Sequence, residues 1–210
     1  MRNKILFVFI ALINFGLYSQ NLQWVKSFGS SGGDANSAVI TDASGNVYTT
    51  GWFDGTVDFD PSASTYTLTA ISGKSAFVSK FDGNGNFIWA KALLGNAEGD
   101  AISVDAAGNV YSAGYFYNTT DFDPGVGVYN LTSNGMEDIY VCKLDPTGNF
   151  IWAKSFGSTS TEEIFAIDLD LNNNVVITGD FRNTCDFDPG SSSFILTSLG
   201  VEDIYVCKLD

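Results

Sequence analysis

Apolar and polar positions alternate along most of this chain in short runs, each closed by turn residues. The middle of the chain shows this most clearly. Ala101–Asp105, Val110–Phe116, Ile139–Leu144 and Phe150–Phe156 are rich in β-branched and aromatic residues. A period near two in such runs predicts half-buried strands. Asp105-Ala-Ala-Gly108-Asn109 and Asp145-Pro-Thr-Gly148-Asn149 separate them in pairs. An aspartate there can bond its own backbone and a glycine accepts positive φ, so both read as tight turns. The pattern is two hairpins, A–B and C–D. Further strands are expected near Ala38–Thr41, Val47–Phe53, Ala76–Phe81 and Phe87–Ala92. Between B and C lies an excursion carrying D-F-D-P-G and then V-Y-N-L-T, which predicts a small extra hairpin. No segment shows a helical period with caps.

The unit recurs three times. Trp24, Trp89 and Trp152 each open W-x-K, and Asn46, Asn109 and Asn174 each open a strand. From that Asn to the first Asp of D-F-D-P is 12 residues in every copy, and to Ser79, Cys142 or Cys207 it is 33. Only the stretch from Trp to Asn varies, at 22, 20 and 22 residues. The variable stretch is therefore expected to hold a connecting loop (Gly29–Asp34, Gly95–Asp100, Gly157–Glu163), because loops absorb insertions. A repeated four-stranded antiparallel sheet of this length predicts an all-β fold, a β-propeller with three blades in approximately 24–88, 89–151 and 152–210. A parallel β-helix would need shorter coils, and an immunoglobulin-like array has a different pattern.

Composition narrows the chemistry. The net charge is −14, with 19 of the 24 acids being aspartate. Such a surface repels phosphate backbones and anionic membranes, which argues against nucleic acid as a partner. There is no histidine, so the commonest general base and zinc ligand are absent. At the N-terminus Arg2 and Lys4 precede the apolar Ile5–Leu17, and the chain turns polar at Tyr18-Ser19-Gln20. This predicts a secretory signal over residues 1–19, a mature repeat domain over 20–210 without a membrane span, and a secreted or cell-surface location. Cys142 and Cys207 occupy equivalent positions, matched by Ser79, and Cys185 stands alone. Three unpaired thiols are expected, because equivalent positions in neighbouring sheets are too far apart to bridge.

W-A-K-S-F-G, with D-A-A-G-N-V-Y-S-A-G-Y-F, resembles the secreted bacterial β-propeller repeats known as SBBP repeats. Trp89, Lys91, Asp105, Gly108, Asn109, Val110, Tyr111 and Gly114 carry the likeness in the middle copy. A fainter similarity runs to NHL repeats, which share the G-N-V-Y opening. The third copy departs, with Asn173 in place of the turn glycine and Val176 in place of the tyrosine. The resemblance implies an exported, often surface-associated protein and brings no catalytic motif.

An up-and-down meander puts the D-x-x-G-N turns at one end and the D-F-D-P excursions with the variable loops at the other. Function is expected at the loop-rich end. Asp58/Asp60, Asp121/Asp123 and Asp186/Asp188 are thrice-repeated carboxylate pairs that could hold Ca²⁺. The bland alternative buries the intervening Phe and uses the acids to cap a turn. Asp168-Leu-Asp170-Leu-Asn172-Asn-Asn174 resembles the start of a calcium loop but lacks its glycine and closing glutamate. Glu137, Asp138, Glu202 and Asp203 stand where the first copy has Lys74 and Ser75, which reads as a solvated edge. Three functions follow, in order: a non-catalytic surface binding or adhesion module with a protein or glycan ligand; a structural segment of a larger exported protein; and a carbohydrate-active hydrolase. No positioned base or nucleophile supports the last. Three blades are fewer than the usual four to eight, so copies assemble into a ring or further blades follow. Leu22–Phe28 is expected to pair with the Ile204–Leu209 strand, within one chain or with a neighbour.

Overall fold

A computed structural model describes residues 20–71 and 73–210; the expected signal segment lies outside them. Every regular element among them is a β-strand. The first blade contains β1 (Asp34–Thr41), β2 (Val47–Phe53), a hairpin of β3 (Thr56–Asp58) and β4 (Thr67–Thr69), then β5 (Ser75–Phe81) and the first half of β6 (Phe87–Val104). The second takes the rest of β6, then β7 (Val110–Asp121), β8 (Asn130–Thr132), β9 (Asp138–Leu144) and β10 (Phe150–Phe156). The third holds β11 (Glu162–Leu169), β12 (Val175–Phe181), the hairpin β13 (Thr184–Asp186) and β14 (Ile195–Thr197), and β15 (Asp203–Leu209). All the ladders between these strands are antiparallel, with sheet orders β1-β2-β5-β6, β6-β7-β9-β10 and β11-β12-β15.

The repeat thus builds two four-stranded sheets and one of three strands. Two expectations need correction. Gly95–Asp100 is not a loop: β6 runs unbroken through it, pairing with β5 over Phe87–Leu93 and with β7 from Leu94 onward. The middle copy is two residues shorter between Trp and Asn than its neighbours, so it has no slack for a loop. Nor does Leu22–Phe28 form a strand with β15 within the chain. It is unpaired as a strand, and β15 pairs only with β12.

The A–B and C–D turns share one construction. In the second blade Asp105 accepts at Oδ1 from the backbone N–H of Ala107 and Asn109, and at Oδ2 from Asn109 Nδ2 and the Tyr111 phenol. Burial alone would raise the Asp105 pKa, but these hydrogen bonds to the ionised form bring it below the usual range. Gly108 takes φ +86°. The third copy forms the same turn on Asp170, with Asn173 at φ +63°, a conformation asparagine tolerates. Val176 has no hydroxyl to offer, and Lys208 lies 2.6 Å from Asp170 instead. The calcium-loop resemblance here resolves into this ordinary turn.

Each B strand carries one glycine that nothing else could replace. Gly51, Gly114 and Gly179 lie beneath a β-bulge in the neighbouring A strand, where the register slips at Asn36/Ala38, Gly99/Ala101 and Ile164/Ala166. A Cβ at Gly114 would stand 1.9 Å from the Glu98 carbonyl oxygen, and at Gly179 1.9 Å from that of Glu163. The bulge presses a carbonyl into the space a side chain would need.

Blades stack face to face through an aromatic trio. Phe116, Phe122 and Tyr140 meet with ring centroids 4.8–6.4 Å apart, on the face of the second blade that packs against Ala76, Val78 and Leu93 of the first. Phe181, Phe187 and Tyr205 repeat this on the third blade, packed against Ile139 and Val141 of the second. Phe53, Phe59 and Phe77 form the same trio on the first blade, where Phe28 alone from the preceding segment reaches it. Trp89 and Trp152 pack edge-on against Tyr48 and Tyr111, so these two tryptophans are equivalent in space as in sequence.

Candidate functional site: an acidic rim at the loop-rich end

The B–C excursions and D–A connections share one end of the blades. There the D-F-D-P segments act as latches. Asp58 Oδ1 accepts from the backbone N–H of Asp60 and Tyr66; Asp121 does so from Asp123 and Tyr129, and Asp186 from Asp188 and Phe194. Asp60, Asp123 and Asp188 accept from the N–H two residues on. Phe59, Phe122 and Phe187 are buried between. Asp58, Asp121 and Asp186 also pair through their backbone with Gly29, Leu94 and Gly157, the residues that link one blade to the next. The carboxylates thus cap the excursion that clasps the linker. Among the described residues no three His, Cys, Asp or Glu side chains gather as a metal site.

A different set of acids converges beside them. Glu98 and Asp100 come from the second blade's A strand, Glu137 from the start of its C strand, and Glu163 from the third blade's A strand. Burial, then the charges of Glu98, Glu163 and Glu137, raise the Asp100 carboxyl to about 6. Glu163 is raised by burial and by Asp180, with further repulsion from Glu202 and Glu137. Asp100 and Glu163 line a shallow cavity of about 260 Å³ with Tyr115, Ile164 and Phe165. Two cations partly balance the rim: Lys74 lies 2.6 Å from Glu98 and stacks over Trp52, and Arg182 pairs with Glu202.

Asp138 corrects the expectation of a solvated edge. It is fully buried, with Oδ2 accepting from the Asn134 backbone and side chain, and Oδ1 without a partner. Gly157 packs directly on its carboxyl group. Burial outweighs the Asn134 hydrogen bonds and, with the nearby Glu162 charge, raises Asp138 to about 6. Glu162 is buried too, but both of its oxygens bind Ser158. Its backbone N–H donates to Glu137 O, tying the second blade to the third. The outward-facing acid at this end is Glu137, one residue earlier; a strand flips sides at each residue.

The rim was not singled out among the candidate residues. Glu98 and Glu163 are equivalent positions of the second and third copies, as are Glu137 and Glu202, with Ala35 and Lys74 in the first copy, while Asp100 stands against Ser37 and Phe165.

The chain matches no protein-family model. Over an alignment of 114 residues it is 31% identical to an uncharacterized WD repeat-containing protein of Acanthamoeba polyphaga mimivirus, covering 46% of this chain and 8% of that protein. The chain therefore spans less than a tenth of that relative's length. WD repeats are four-stranded propeller blades, in keeping with the sheets here. The relative is named for WD repeats and not for the secreted bacterial kind. No helix among the described residues is long and apolar enough to cross a membrane, which says nothing of β-barrels.

Proposed function

We propose that this chain is an exported, non-catalytic propeller-type binding module, related to the secreted bacterial repeats it resembles, that engages a cationic protein surface at the bacterial cell surface through its acidic rim. The observation that carries this reading is the gathering of Glu98, Asp100, Glu137 and Glu163 at a blade junction, where burial first and then the neighbouring charges raise Asp100 to about 6. Perturbed carboxyls gathered beside a cavity mark binding sites more often than solvated edges. The rim is an acid surface with an aromatic floor at Tyr115 and Phe165, suited to lysine- or arginine-rich segments and their apolar stems. Tyr115 is held neutral, its phenol raised by burial and by hydrogen bonding to Glu98.

The test is a peptide and glycan array probed with the purified chain, followed by titration of a hit into Asp100→Asn/Glu163→Gln. Basic peptides should be retained, with affinity falling about tenfold in the double variant and falling again as salt rises. Retention of neutral glycans alone, unaffected by these substitutions, would refute the rim as the binding surface. A purely structural role is the second reading. It is favoured by the D-F-D-P carboxylates, all of which are committed to capping their own loops.

A further inference from the structure

Two Asn-Gly dipeptides, Asn84-Gly85 and Asn134-Gly135, stand in loops of this protein. In such a pair the glycine nitrogen can attack the asparagine side-chain carbonyl, because the glycine has no side chain to hinder the approach. The surroundings of the two pairs differ. The Gly85 N–H is committed to the Asp82 carbonyl at 2.9 Å inside a C–D turn, and the Trp24 ring lies against that glycine. Asn134-Gly135 sits instead in the loop that leads into β9, and both residues are exposed.

This second loop is wrapped around one carboxyl group. Asp138 Oδ2 accepts from the Asn134 backbone N–H at 3.0 Å and from Asn134 Nδ2 at 3.1 Å. The Gly135 N–H donates to the same carboxylate. One group therefore touches both the N–H that would attack and the amide nitrogen that would leave. Asp138 is fully buried, its Oδ1 has no partner, and Gly157 closes over it. The fold does not need the asparagine amide. The equivalent residues of the other copies are Ile71 and Leu199. Their backbone N–H alone makes the contact, to Ser75 Oγ at 3.3 Å and to Asp203 Oδ2 at 3.0 Å.

We propose that Asn134-Gly135 is a self-modification site, converted without any enzyme to aspartate and isoaspartate, with Asp138 as its base. Asp138 takes the proton from the Gly135 nitrogen, which forms a bond to Asn134 Cγ. The Cγ–Nδ2 bond breaks, and Nδ2 leaves as ammonia with the proton that Asp138 returns. The product is a five-membered succinimide. Water then opens the ring at either of its two carbonyl carbons. This leaves aspartate or isoaspartate at position 134 and releases one proton.

The conversion sets a carboxylate where an amide donated to Asp138. Gly135 lies so tightly on the Thr159 backbone, in the connection to the third blade, that even a Cβ would overlap it. Two residues on, Glu137 O accepts the Glu162 N–H of that blade. Charge repulsion at position 134 therefore loosens the junction between the second and third blades. The conversion does not depend on what the rim binds.

Timed incubation of the full chain at neutral pH, read by peptide mapping with mass spectrometry, tests the site. Asn134 should convert about tenfold faster in the native protein than in the urea-unfolded chain, a modest return for a positioned base. Asn84 should convert more slowly when folded. If Asn134 converts no faster folded than unfolded, the proposal fails. Asp138→Asn should remove the acceleration and leave Asn84 as it was; a folded variant with an unchanged rate at Asn134 overturns the role of Asp138. Where that variant does not fold, the wild-type pH profile decides. The titratable groups facing Asp138 are Glu162 of β11, whose charge raises it, and the Cys185 thiol of β13, which stays neutral. The acceleration should fade below a pH of about 6, where Asp138 takes up its proton, and an acceleration indifferent to pH overturns the proposal. Aged protein should melt lower than fresh protein. Asn134→Gln, whose longer side chain closes its ring far more slowly, should melt alike aged and fresh. Converted wild type that melts like fresh protein would refute the loosened junction.

Discussion

Gly114→Ala is expected to be among the most damaging single-methyl changes in this protein. The added Cβ would stand 1.9 Å from the Glu98 carbonyl oxygen, 2.9 Å from its carbon and 3.0 Å from Gly99 Cα. All three are backbone atoms of the A-strand bulge, so no rotamer change relieves the clash. The bulge must retreat by more than an ångström, and Glu98 and Gly99 are paired there with Tyr115 and Gly114. Overpacking costs about 1–3 kcal/mol when side chains can adjust, so a cost at or above the top of that range is expected here. Restricting the unfolded chain returns about 0.4–1 kcal/mol. The net is a loss of roughly 2–3 kcal/mol, or about 5–10 °C in Tm for a domain of this size. The assay is thermal unfolding by tryptophan fluorescence and circular dichroism. Gly200→Ala, with nothing within 4 Å of its added methyl, serves as the control and should stay within about 0.5 kcal/mol of wild type. If Gly114→Ala melts with the control, the bulge yields freely and the glycine has no steric role.

Stability should fall as pH rises from about 4 to about 7, because Asp138 and Asp100 have folded pKa values near 6 and the folded state there holds protons the unfolded state releases. For the buried Asp138 the penalty at neutral pH is about 2–3 kcal/mol. Asp138→Asn should flatten that slope, and an unchanged Tm–pH profile in the variant would remove Asp138 from the effect. Below about pH 4 the trend should reverse, as Asp42, Asp105 and Asp145, whose folded pKa values are depressed, take up protons and release their turns. Thiol labelling under native conditions should modify Cys207 first; Cys142 and Cys185 are buried and held as thiols, Cys185 at about 12, and should react only on unfolding. Calcium should leave Tm unchanged, because one oxygen of each D-F-D-P carboxylate is already bound to backbone N–H groups. A rise in Tm that Asp121→Asn/Asp123→Asn abolishes would make these residues ligands after all.

Strand order, the five D-x-x-G-N-type turns, the excursion hairpins and the buried D-F-D-P phenylalanines were all legible in the sequence. They follow from local rules: alternation, turn chemistry and a spacing repeated three times. The asparagine turn at Asn173 belongs with them, since side-chain tolerance of positive φ is local. Only the tertiary structure decided matters that depend on what a neighbouring blade does. A two-residue contraction turned the expected Gly95–Asp100 loop into the middle of β6, because the distance between blades is set by their packing and not by the linker. Asp138 became a buried carboxyl, because Gly157 of the linker closes over it. The acidic rim draws residues from separate strands of two blades, so no spacing announces it. The sequence carries the same face three times; stacking decides that two copies of that face are buried and that Ile204 and Val206 are left to solvent.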